Sequence, residues 1–92
     1  MIEPLILDPL PAVLEARGCG HSSLYVEIQE GLWTPPVRVG RASRWPRHER
    51  QTLIAARIAG ATEEQLRALV RRLLEQRKAM MPQIAVLSGA AA

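Results

Sequence analysis

The sequence predicts a mainly α-helical domain with one β-hairpin, and three observations carry that expectation. Residues 35–46 read as two short alternating runs about a glycine, Val37-Arg38-Val39 and Ala42-Ser43-Arg44-Trp45, with proline on both flanks. Two glycine-bounded segments, residues 11–18 and 21–31, space their apolar residues as helices do. Thr62-Glu63-Glu64-Gln65 is a capping box, and Leu66, Leu69, Val70, Leu73 and Leu74 follow it at helical spacing.

The hairpin organises the rest. Gly40 turns the chain without steric cost, and Pro35, Pro36 and Pro46 bar a helix from running through. If Val37 and Val39 face a core, Trp45 joins them. That register sets Val37 opposite Trp45 and Arg38 opposite Arg44, with Arg41 at the tip. Like charges facing each other across a strand pair cost about 0.2–1 kcal/mol. A facing arginine pair therefore calls for an anion over it, and a phosphate backbone is the obvious kind.

At 92 residues the chain is one domain with a modest core. No apolar run is long enough to span a membrane, and Met1-Ile2-Glu3-Pro4 lacks the basic start of a secretory signal, so a cytoplasmic protein is expected. One cysteine, Cys19, and two histidines suggest no internal disulfide, metal site or Cys/His catalytic pair; Cys19 reads as a small buried hydrophobe. With no phosphate loop or carboxylate pair either, the expectation is a non-enzyme with no cofactor, no small-molecule substrate and no membrane partner. The net charge is +3 and the pI about 10.0, but distribution is more informative than total. Residues 1–37 carry Arg17 against Glu3, Asp8, Glu15, Glu27 and Glu30, whereas residues 38–50 carry Arg38, Arg41, Arg44, Arg47 and Arg50 against Glu49. Positive charge gathered on one segment is the footprint a polyanion requires, and is equally what a solvated arginine-rich edge that discourages edge-to-edge pairing would show.

In chain order, residues 1–9 are apolar but interrupted by proline and read as an extended arm. Pro11 suits a helix start and Gly18 a helix stop; after Cys19-Gly20, Leu24 and Ile28 lie one turn apart in a second helix ending near Gly31. Two short helices joined by a tight glycine turn form a helix-turn-helix, whose second helix presents its first residues to the major groove. His21, Ser22 and Ser23 stand at that position, where one serine could equally cap the helix. Pro46 opens a third helix, with Arg47 and Arg50 near its start against the helix dipole, hinting at a need for charge. Trp33 and Trp45 read as core.

From about Leu10 to Ile58 the chain resembles the AlpA-type prophage regulators and small phage excisionases, which have a MerR-like winged helix-turn-helix. Gly18-Cys19-Gly20-His21-Ser22-Ser23-Leu24-Tyr25 stands where that family has a Gly-Leu-Ser-Arg-Ser-Thr-Ile-Tyr type of run, and Glu30-Gly31-Leu32-Trp33-Thr34-Pro35-Pro36-Val37-Arg38-Val39-Gly40-Arg41 resembles its Glu-Gly-x-Phe-Pro-x-Pro-Val-Lys-Ile-Gly-x-Arg pattern. Trp45 matches the tryptophan that closes the wing. His21, Gly20 and Val26 depart from a usual arginine, serine and polar residue, which leaves residues 21–30 short of positive charge.

The resemblance implies a winged helix-turn-helix over residues 10–60; the residues themselves add an arm at 1–9, an extra C-terminal amphipathic helix at 61–81 and a tail at 82–92. It implies a recognition helix in which Ser22 and Ser23 reach bases and Tyr25 the backbone, beside His21, and a wing in which Arg38 and Arg44 lie over phosphates and Arg41 at the minor groove. The partner implied is double-stranded DNA of a prophage or integrative element, bound cooperatively at repeated sites, with an integrase as protein partner for an excisionase. Leu66, Leu69, Val70 and Leu73 form a stripe that packs either on the domain itself, as such stripes more often do, or on a neighbour, where they are the candidate self-association surface. The competing reading is a protein-interaction adaptor that uses this leucine face and does not bind DNA.

Overall fold

The structure is a computed structural model and describes residues 5–80. Its elements are β1 (Leu7–Pro9), α1 (Leu10–Arg17), α2 (His21–Gln29), β2 (Val37–Val39), β3 (Ala42–Pro46), α3 (Arg47–Ile58) and α4 (Glu63–Ala79). The expected tail at 82–92 lies outside the described residues, as do the first four residues of the expected arm.

Local chemistry sets most boundaries. Pro11 occupies the first turn of α1, and Gly18 ends the helix at φ 73°, its N–H returning to the Leu14 carbonyl at 2.8 Å. α3 begins directly after Pro46. At α4 the capping box is complete: the Thr62 hydroxyl accepts from the Gln65 amide at 3.1 Å, and the Gln65 side chain accepts from the Thr62 amide at 2.9 Å.

The sheet departs from the expected lone hairpin. It has three antiparallel strands in the order β1-β3-β2, because the arm contributes a strand: Leu7, Asp8 and Pro9 pair with Pro46, Trp45 and Arg44. The Arg47 amide extends this pairing to the Ile6 carbonyl at 2.8 Å.

The hairpin register also departs from expectation, by one residue. Val37 pairs with Arg44, Arg38 with Ser43 and Val39 with Ala42, so the loop is the two residues Gly40 and Arg41. Gly40 sits at φ 62° while Arg41 keeps a negative φ, the glycine-first pattern of a two-residue hairpin turn whose twist matches its strands. Since side chains alternate with period two, a slip of one residue exchanges faces. Trp45 therefore shares a face with Asp8, Ser43 and Arg38, while Val37, Val39 and Arg44 lie on the other. Trp45 is buried; Val39 is 50% exposed, and Val37 only lines a shallow apolar groove with Leu7, Pro46 and Met80.

The core forms on the Trp45 side. Trp45 and Trp33 are both buried, as expected, and the Trp45 indole donates to the Thr34 carbonyl at 3.0 Å, which satisfies its polar atom out of water. Val13 of α1, Leu24 of α2 and Leu53 of α3 close around them. Leu66, Val70 and Leu73 of α4 belong to the same cluster, with Leu69 packed at its edge. Of the two readings of this stripe, packing on the domain or on a neighbour, the structure has the first, because the three helices before it leave an apolar face that α4 closes. Cys19 is half-buried against this cluster, less covered than expected.

Candidate nucleic-acid interface

α2 is held by its buried side. Leu24 is in the core, and Glu27 turns inward to a bidentate pair with Arg17 at the end of α1, at 2.6 and 3.1 Å. Arg57 of α3 approaches the same carboxylate at 3.3 Å. The hydrogen bonds of Glu27, with its charge, hold the Arg17 guanidinium in its charged form more firmly than usual, against the opposing effect of burial. Glu27 is thus neutralised from within, and the outward face of α2 is left uncharged until Glu30.

At the start of α2, His21, Ser22 and Ser23 are all exposed. The N-cap is Gly20, with no side-chain hydrogen bond, so neither serine caps the helix and both hydroxyls face outward free of that duty. Tyr25 is half-buried, its ring 4.7 Å from that of His21 and 6.4 Å, edge-on, from that of Trp45. Through Tyr25 and Trp45, α2 is seated against the sheet that carries the hairpin.

The hairpin residues take up positions that differ from expectation in one respect. Arg41 stands at the exposed tip, as expected. Arg38 leaves the sheet on the face where Trp45 meets Tyr25, its guanidinium donating to the Ser43 hydroxyl at 2.8 Å. Arg44 projects from the opposite face and donates to the Ser43 carbonyl at 3.2 Å. Arg38 and Arg44 are therefore not a facing pair, because the two-residue loop sets Ser43 across from Arg38. The like-charge repulsion inferred from the other register does not exist in the fold.

Ion pairing sorts the arginines into two groups. Glu49 is fully buried and takes two hydrogen bonds from Arg77, at 2.6 and 2.7 Å, while the same guanidinium donates to the Pro35 carbonyl at 2.8 Å. Asp8, also buried, accepts from Arg47 at 2.8 Å with Arg50 at 3.6 Å. The Arg47 hydrogen bonds hold the Asp8 carboxyl below its ordinary pKa against the upward push of burial, and the charges of Arg50 and Arg47 reinforce them. Arg47 and Arg50, which had suggested a need for free charge at the start of α3, are instead bound to the arm. Arg67 pairs with Glu63, and Lys78 with Glu75. Among the described residues, Arg38, Arg41, Arg44, Arg71 and Arg72 have no carboxylate partner.

Three of those five are the hairpin arginines. Arg71 and Arg72, exposed on α4, were not singled out by sequence reasoning; Glu75, at i+4 and i+3 from them, pairs with Lys78 instead. Gln29 was also overlooked, and Val26 was noted only as a departure from the family pattern; both continue the outward stripe of α2 from Ser22 and Ser23 at helical spacing. Leu66, Val70 and Leu73 lie in the core and take no part in this surface. Among the described residues no cluster of His, Cys, Asp and Glu could hold a metal ion, and no helix is long and apolar enough to cross a membrane. Comparison with protein-family models, curated proteins and solved structures finds no significant match.

Proposed function

We propose that this protein binds double-stranded DNA as a winged helix-turn-helix, with α2 entering the major groove and the β2–β3 hairpin gripping the flanking backbone. The observation that carries the reading is the partition of charge. Apart from Arg71 and Arg72, the body pairs its arginines with carboxylates, while among the described residues Arg38, Arg41 and Arg44, on a hairpin packed through Trp45 against the recognition helix, have no carboxylate partner. Free guanidinium groups are the donors best suited to phosphate oxygens. A polyanion supplies the electrostatic attraction that no carboxylate among the described residues gives them.

The resemblance of residues 10–58 to AlpA-type regulators and small excisionases extends the proposal to a role in a prophage or integrative element. As an excisionase the protein directs an integrase toward excision; as a regulator it occupies repeated sites near a promoter. Both roles use the same grip, and neither involves catalysis by this chain.

The decisive measurement is a salt titration of binding to duplex DNA. Affinity falls linearly on a log–log plot as salt rises, and Arg38→Ala, Arg41→Ala and Arg44→Ala each make the slope shallower by about 1. Absent binding at low ionic strength, or binding indifferent to salt, refutes the proposal.

A further inference from the structure

We infer that Val26 is a sequence-determining residue of α2, making contact with the 5-methyl group of a thymine in the major groove. The inference rests on the DNA-binding reading above. α2 buries Leu24 and half-buries Tyr25, Glu27 and Ile28, so its outward stripe is Ser22, Ser23, Val26 and Gln29. Val26 is 50% exposed at the middle of that stripe, about one turn from the serines on one side and from Gln29 on the other.

A single exposed valine needs no explanation by itself. Its setting supplies one. The stripe it centres carries no Lys or Arg, and the unpaired Arg38 leaves the sheet on the side where Tyr25 meets Trp45. Charge complementarity with a polyanion thus comes from the hairpin, and the helix face is left uncharged. The commonest base contact, arginine or lysine on guanine O6 and N7, is not available to this face. What it offers is hydroxyl, amide and apolar surface, and in the major groove the base that presents an apolar group is thymine, through its methyl. Gln29 carries the amide that suits adenine in the same or a neighbouring pair. Tyr25, whose ring is wedged between those of His21 and Trp45, acts as a positioning residue that fixes the tilt of the stripe.

The test selects preferred duplexes for the full chain from a randomised pool, then replaces each thymine of the selected site in turn by deoxyuridine. This removes one methyl group and leaves every hydrogen-bonding group in place. At one position of each binding unit the wild type loses affinity about fourfold, the factor corresponding to one buried methyl-sized group. Val26→Ser, with an unchanged circular dichroism spectrum, binds the thymine and deoxyuridine duplexes equally. Selected sites whose affinity is unaffected by every such replacement overturn the inference and leave DNA binding intact. The same conclusion follows if Val26→Ser keeps the thymine preference of the wild type. A chain that binds no duplex at low salt removes the DNA-binding reading and this inference with it.

Discussion

The arginines of the helical body and those of the hairpin are the same residue in two physical situations. Arg77, Arg47 and Arg17 each grip a carboxylate from a distant or neighbouring element, through bidentate or paired hydrogen bonds of 2.6 to 3.3 Å. Arg38 and Arg44 find only the hydroxyl and carbonyl of Ser43, and Arg41 stands at an exposed tip. In Arg77, Arg47 and Arg17 the guanidinium is a connector. Arg77 ties α4 to Glu49 of α3 and to the Pro35 carbonyl, and Arg47 ties α3 to the β1 strand. On the hairpin it connects nothing, so its charge remains available to a partner outside the chain. Total charge would have hidden this difference, since paired and free arginines count alike.

The comparison breaks first, and with the largest effect, at Arg77. Arg77→Met leaves the Glu49 carboxylate fully buried without a counter-charge, which costs about 3–5 kcal/mol. Against a total stability of roughly 5–15 kcal/mol for a domain, that is a loss urea denaturation reads easily. Adding Glu49→Leu to Arg77→Met restores most of the deficit, because a buried ion pair replaced by apolar groups of similar volume is often close to neutral. If Arg77→Met alone unfolds at the wild-type urea concentration, the body arginines are not connectors and the contrast with the hairpin disappears.

How much of this was legible beforehand follows from distance along the chain. The capping box of Thr62 and Gln65, the stop at Gly18 and the helix start after Pro46 were readable because cause and effect lie within four residues. The pairing of Asp8 with Arg47 and of Glu49 with Arg77 was not, since the partners are 39 and 28 residues apart and only the tertiary fold brings them together. The hairpin itself was legible from its prolines and Gly40, but its register was not. Val37, Val39 and Trp45 are equally apolar, and which of them faces the core depends on the side where α2 and α4 pack. For the candidate interface, the residue names were readable and their availability was not. Nothing in the sequence distinguishes Arg47, bound to Asp8, from Arg44, bound to none.

A smaller effect than that of Arg77, with a distinctive pH signature, belongs to the tie between β1 and α3. Hydrogen bonds from Arg47, aided by the charge of Arg50, lower the Asp8 pKa below its unfolded value. A depressed carboxylate pKa contributes stability that is fully present above about pH 4 and is lost as pH falls through the folded value. Asp8→Asn therefore lowers Tm at pH 7, and the gap between variant and wild type narrows as the pH is taken from 5 to 3. The cost is below that of Arg77→Met because Arg47 is open to solvent whereas Glu49 is not. A gap that stays constant over this range would assign the loss to packing rather than to charge.

The smallest effect on stability belongs to the hairpin, and it sharpens the comparison most. Arg38→Ala, Arg41→Ala and Arg44→Ala each shift the unfolding free energy by no more than about 0.5 kcal/mol, the range of surface substitutions that remove no cap, core contact or ion pair. Arg44, half-buried along its stem and paired across the strands with Val37, is the one of the three expected nearest that bound. The urea midpoint of the triple variant therefore stays close to that of the wild type, while its affinity for duplex DNA and the salt dependence of that affinity collapse. If unfolding and binding are lost in parallel, these arginines are structural like Arg77. If binding alone is lost, the chain has spent its internal carboxylates on the body and left the hairpin charge for its ligand.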